Sequence, residues 1–126
     1  MRLLLDTHAF AWALAKSSKL SPRVLDQITD PNNDVWVSAA TIYELDYKRP
    51  VDAEIAVLPA DLAAAGLRLG YRWLDIEPEH ARIAANLDRS HKDPWDRLIA
   101  AQAVAESLDL VTKDTAMAGL GARVMW

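Results

Sequence analysis

Two short apolar runs, far apart in the chain, each give way to an acidic residue, and that repetition limits the possible folds more than any other feature. Leu3-Leu4-Leu5 runs into Asp6-Thr7, and Leu110-Val111-Thr112 runs into Lys113-Asp114. A continuous apolar run suits a strand whose sheet is covered on both faces, as parallel sheets are. Val35-Trp36-Val37 is a third such run, and Trp73-Leu74-Asp75-Ile76 a fourth strand candidate with alternation that suggests partial exposure. Val124-Met125-Trp126 reads as a terminal edge strand.

The segments between these runs carry helix signals. Ala9–Ala15 is small and apolar, and Ser21-Pro22 supplies an N-cap and a first-position proline for a helix to about Thr29. Ser38 can cap a helix from Ala39 to about Tyr47, and Leu58-Pro59 to Leu69 predicts an Ala- and Leu-rich helix closed by Gly70. Glu77-Pro78 opens a helix to about Leu87, Pro94 one to about Leu108, and Thr115–Leu120 a short helix or turn. Strand and helix alternate, which predicts an α/β fold: a three-layer α/β/α sandwich around a mostly parallel sheet of four to five strands. The 126 residues fit one domain, 1–126, with no linker or internal repeat.

In such a sheet ligands bind in the crevice at the carboxyl ends of the strands, where Asp6 and Asp114 fall. Glu44 follows the end of its strand by under two helical turns. In His91-Lys92-Asp93-Pro94-Trp95-Asp96-Arg97, proline at the first helical position puts Asp93 at the N-cap and Asp96 in the first turn. Each residue also has a plain structural explanation. Asp6 and Asp93 can cap helices, Glu44 can pair with Lys48 at i,i+4, and Asp96 can favour the positive helix end. His80 has no metal-ligand companion and reads as a solvated helix-start histidine. If Asp6, Glu44, Asp96 and Asp114 do share one crevice, they repel one another, so convergence implies bound metal or a shared proton. Oxygen donors without cysteine point to Mg²⁺ or Mn²⁺ rather than zinc.

Composition sets limits on partners. Fourteen Lys and Arg against eighteen Asp and Glu leave a formal net charge of −4, so the chain is no basic nucleic-acid-binding surface. A carboxylate cluster still meets a polyanion when divalent ions stand between them. The absence of cysteine excludes disulfides and thiolate chemistry and fits a reducing cytoplasm. Asp6 cuts the first apolar run short, and no charge-free run approaches the ~20 residues of a membrane span.

Leu5-Asp6-Thr7-His8, Ser38-Ala39-Ala40-Thr41-Ile42-Tyr43-Glu44, His91 to Ala103 and Val111-Thr112-Lys113-Asp114, in this order and at these separations, resemble PIN domains. More specifically they resemble the VapC toxins of type II toxin–antitoxin pairs. The resemblance implies a Mg²⁺- or Mn²⁺-dependent endoribonuclease with Asp6, Glu44 and Asp96 as core acidic residues and Asp114 as the fourth. It leaves Asp93 between a water-mediated metal contact and a helix cap, with the cap favoured. Thr7, Ser38 and Thr112 match positions where small polar residues orient ligands or water. Arg97 and Lys113, each beside a proposed ligand, are the candidates for gripping RNA, with Lys48 and Arg49 behind them. The family also implies a homodimer and a cognate antitoxin whose tail occupies the acidic groove. A cation near the positive end of the Pro94 helix predicts modest metal affinity.

Three other readings compete. A phosphoacceptor receiver domain expects adjacent acidic residues after its first strand, whereas Thr7 follows Asp6. A dinucleotide-binding domain needs a Gly-rich turn after Leu5, and the glycines are Gly66, Gly70, Gly119 and Gly121. A catalytically silent PIN-like interaction module would keep the fold without metal-dependent cleavage.

Overall fold

The computed structural model describes residues 1–126. Five strands, β1 (Arg2–Leu5), β2 (Asp34–Ser38), β3 (Arg72–Leu74), β4 (Asp109–Val111) and β5 (Val124–Met125), form one all-parallel sheet in the order β3-β2-β1-β4-β5. β1 is central, with Leu3, Leu4 and Leu5 all fully buried. The side-chain alternation of a strand divides them between two cores. Leu3 and Leu5 join Val35, Val37 and Val111 under Phe10, Val24, Leu45 and Leu62 on one face. Leu4 joins Leu110 under Ile99, Ala100, Ala103 and Met117 on the other.

Seven helices make the outer layers: α1 (Thr7–Ala15), α2 (Pro22–Thr29), α3 (Ala39–Lys48), α4 (Ala53–Ala56), α5 (Leu62–Arg68), α6 (Pro78–Asn86) and α7 (Pro94–Ala105). A 3-10 turn, Thr115–Leu120, links β4 to β5. The expected α/β sandwich is therefore present, and no helix is long and apolar enough to cross a membrane. From β1 the chain moves outward through β2 to β3, then returns to the opposite side of β1 for β4 and β5. The connections after β1 and after β4 thus leave in opposite directions. This reversal opens a crevice beyond the carboxyl ends of β1 and β4, the place where doubly wound sheets hold ligands.

The predicted caps form. Ser21 Oγ accepts from Val24 N at 3.1 Å and Ser38 Oγ from Ala40 N at 3.0 Å. Two expectations need correction. The helix expected from Leu58-Pro59 to Leu69 forms only as α5 (Leu62–Arg68), and a non-helical break at Leu58-Pro59 separates it from α4, because the residue before proline is pushed out of the helical region. The Arg49 guanidinium pins that break by donating to the Leu58 and Pro59 carbonyls at 2.9 Å each. Asp61 then starts α5 by accepting from Ala64 N at 3.0 Å.

His80 is the second correction, since it is 1% exposed rather than solvated. Its Nδ1 accepts from Glu77 N at 2.9 Å, which leaves the proton on Nε2, 2.9 Å from Glu106 Oε1. His80 thereby ties the start of α6 to the end of α7. Helical periodicity gave no warning, because the partner Glu106 lies 26 residues away.

Candidate metal centre

Four elements leave the crevice edge of the sheet with a carboxylate in or near their first turns. Asp6 is the N-cap of α1, buried, with Oδ1 accepting from Ala9 N at 2.8 Å. Capping and proximity to the crevice are therefore compatible roles for one side chain. Burial pushes the Asp6 carboxyl above its ordinary range; the Thr112 hydroxyl, the Ala9 N–H and His8 act the other way, and the charge of Asp96 adds to the rise. Asp96, in the first turn of α7, is raised for the same leading reason. His91 lowers it, while Asp93 and Glu44 raise it further. These mutual influences place Asp6, Glu44, Asp93 and Asp96 in one electrostatic neighbourhood.

Glu44 is buried inside α3, and both of its oxygens are bonded. Oε1 accepts from the Thr7 hydroxyl at 2.7 Å, and Oε2 from the Lys48 ammonium at 2.5 Å. The i,i+4 pair with Lys48 exists, but it is not a surface pair: the Glu44 side chain is 7% exposed. Asp114 starts the 3-10 turn by accepting from Ala116 N at 2.9 Å, and its own N–H donates to Thr112 Oγ1 at 3.1 Å. Thr112 thus stands between Asp6 and Asp114, and Thr7 between Asp6 and Glu44. Ser38 is buried and engaged only as the cap of α3. Asp93 caps α7, with Oδ1 accepting from Trp95 N at 2.9 Å and Asp96 N at 3.1 Å, which leaves Oδ2 free.

Arg97 requires a correction. It does not face outward to grip a substrate. Its Nη1 donates to the carbonyls of Asp88 at 2.6 Å and His91 at 2.7 Å, and its Nη2 to those of Ala84 at 2.8 Å and Leu87 at 3.0 Å. The planar fork of guanidinium suits this task, gathering the end of α6 and the loop before α7. Lys113 remains exposed, with its ammonium 5.9 Å from the Trp12 ring centroid.

Two residues of the neighbourhood were outside the expected ligand set. His91 Nε2 lies 3.0 Å from Asp96 Oδ2, and ligand atoms of His91, Asp96 and Asp114 lie within 4.8 Å of one another. The signal was present in the His-x-Asp-Pro-Trp-Asp-Arg run, where the turn at Asp93-Pro94 brings His91 back over Asp96. Lys48 is the other. Beside the carboxylates a groove of about 480 Å³ runs between α1, α3 and the segment around α4. Trp12, Leu45, Ile55 and Leu58 line its apolar part, with Thr7, Glu44 and Lys48 at the carboxylate end.

The donor set fits a hard divalent ion. It consists of carboxylate oxygens with one imidazole and no thiol, at the crevice of a parallel sheet. Two of the carboxylates are already destabilised as anions by burial, and a cation reverses that penalty.

Comparison with known proteins agrees with this architecture. The family model "PIN domain" matches residues 3–122. Ribonuclease VapC22 of Mycobacterium tuberculosis is 31% identical over 113 residues, which cover 89% of this chain and 86% of that protein. Among solved structures, VapBC2 from Rickettsia felis bound to a DNA fragment from its promoter superposes with a TM-score of 0.72 at 19% identity, covering 99% of this chain and 98% of the other. FitAcB from Neisseria gonorrhoeae superposes with a TM-score of 0.70 at 26% identity, covering 98% and 96%. Matched over nearly its whole length, the chain belongs to the PIN domain family.

Proposed function

We propose that this protein is a Mg²⁺- or Mn²⁺-dependent endoribonuclease that acts as the toxin of a toxin–antitoxin pair. The observation that carries the reading is the gathering of Asp6, Glu44, Asp96 and Asp114 at the β1/β4 crevice in a PIN domain related to a ribonuclease. Asp6, Glu44, Asp96 and Asp114 would hold the ion, and Asp93, whose Oδ2 accepts no hydrogen bond, would contact it through water. When bound, one or two such ions would supply positive charge at the scissile phosphate and lower the pKa of a water, so that hydroxide is available to attack phosphorus.

The protein's own part is positioning. Thr7 fixes one Glu44 oxygen, Thr112 spaces Asp6 from Asp114, and the Arg97-held loop sets His91 against Asp96. Lys113, on the exposed rim, supplies positive charge toward the RNA backbone. The expected products are a 5′-phosphate and a 3′-hydroxyl.

The partner reading rests on two surfaces. The groove ending at Glu44 suits the tail of an antitoxin, with apolar side chains over Trp12 and Leu58 and a basic group at the carboxylates. Tyr43 and Tyr47 stack with centroids 6.1 Å apart, and Tyr43 meets Trp95 at 4.8 Å, an aromatic face suited to a second copy of the chain. Tyr47 is 72% exposed, far more than an ordinary aromatic side chain in a monomer. Brief expression of the chain without a partner, followed by sequencing of RNA 5′ ends, tests the reading. Growth arrest with new 5′-phosphate ends is the expected result, and unchanged growth and RNA ends would count for the silent module.

A further inference from the structure

We propose that Lys48 is a tethered cation that holds Glu44 in the metal-free protein and has to be displaced before Glu44 can ligate a divalent ion. The inference rests on the metal-dependent reading above and concerns how that site fills. Glu44 has no idle oxygen: Thr7 donates to Oε1 and Lys48 to Oε2. The two donors differ in freedom. Thr7 is buried, and its hydroxyl also lies 3.3 Å from that of Thr41. Lys48 is a flexible stem with 42% of its side chain exposed.

An ion approaching Oε2 therefore meets an ammonium of the same sign in near contact. The second lone pair of Oε2 is no escape, because repulsion between the two cations opposes joint occupancy. Displacement of Lys48 is the outcome its exposure permits.

An exposed i,i+4 pair contributes little and controls nothing. This pair differs in two respects. Glu44 is almost completely enclosed, so its charge needs a partner at all times. Lys48 also lies within the field of Asp93 and Asp96, so its ammonium offsets part of the cluster's charge as well as that of Glu44. Lys48 thus stands in for the ion, and its departure is one reason for modest metal affinity.

The test is Mn²⁺ binding by calorimetry at fixed ionic strength, with circular dichroism to establish folding. Lys48→Met is expected to bind Mn²⁺ about tenfold more tightly than wild type, the low end of what a charge-assisted hydrogen bond contributes. Lys48→Gln, which keeps a hydrogen bond to Glu44 without the charge and protects the fold, should tighten binding to a smaller degree. Lys48→Arg should not tighten it. Lys92→Met removes an exposed charge nearby without touching Glu44, and should stay within about twofold of wild type.

Mn²⁺ affinity in Lys48→Met and Lys48→Gln equal to or weaker than wild type, with wild type binding measurably, overturns the role of Lys48 alone. Tightening by Lys92→Met as large as by Lys48→Met would also overturn it, as a general charge effect. No binding by wild type, matched by Glu44→Gln, overturns the metal-dependent reading itself.

Discussion

The Thr7 hydroxyl donates to Glu44 Oε1 at 2.7 Å, so the residue after the β1 carboxylate fixes a carboxylate that is distant in sequence. The start of α1 and α3 are thereby joined at the point where both reach the crevice. Thr7→Val keeps the shape of the side chain and removes this bond. Metal affinity and cleavage rate are each expected to fall about 10- to 100-fold, the usual effect of losing a partner that orients a ligand. Calorimetry with Mn²⁺ and steady-state cleavage check this, and unchanged values would mean that Glu44 is positioned without Thr7.

Arg97 is expected to behave as a structural clamp rather than a phosphate contact. Arg97→Lys cannot reproduce four bonds to four carbonyls, and should destabilise the fold by about 2–4 kcal/mol in urea denaturation. The folded fraction should show the same dependence of RNA affinity on salt as wild type, because no phosphate contact is lost. A shallower salt slope would return Arg97 to the substrate.

His80→Ala should cost about 2–4 kcal/mol, since it empties a buried imidazole site and leaves the partly buried Glu77 N–H and the buried Gln102 amide without their imidazole partner. Thermal unfolding followed by circular dichroism measures it. Activity per folded molecule well below the unfolding temperature should be unaffected, because His80 lies on the α6–α7 seam away from the carboxylates.

Stability of the metal-free protein should depend on pH in the direction set by Asp6 and Asp96. Both carboxyls have folded-state pKa values above the ordinary 3.8, with burial the leading cause. A raised carboxyl favours the folded state when protonated, and that advantage is lost as pH rises through the folded pKa. In the presence of a chelator, lowering the pH from neutral through the raised range of these two carboxyls should therefore raise the unfolding temperature. Saturating Mg²⁺ should reverse the trend by stabilising the ionised forms. A metal-free protein that loses stability steadily over the same interval would contradict the assignment.

Much of this was legible in the sequence. Leu3-Leu4-Leu5 and Leu110-Val111 announce parallel strands because they are buried on both faces, and Ser21, Ser38 and Asp93 announce helix starts because a cap needs only local chemistry. The shared neighbourhood of the acidic residues followed from strand ends in a doubly wound sheet. What stayed hidden depends on contacts over long sequence distances. The place of Arg97 beside Asp96 suggested a contact with substrate, yet carbonyls at the end of α6 and in the following loop take up its guanidinium. Lys48 was visible as a partner of Glu44, but periodicity cannot say that Glu44 is buried. His91 stood within the motif, and only the turn at Asp93-Pro94 brings it to Asp96.

Asp6, Glu44, Asp96 and Asp114 are proposed to form one metal-dependent site that cuts RNA. The most direct measurement is single-turnover cleavage of an end-labelled RNA by purified wild type and Asp96→Asn, each with Mg²⁺ and with excess EDTA. Wild type is expected to cleave only with the metal, leaving a 5′-phosphate, and Asp96→Asn to be slower by at least about 100-fold while folded, since a ligand matters more than the groups that orient it. Equal rates in the two proteins, or cleavage that persists in EDTA, would contradict the account.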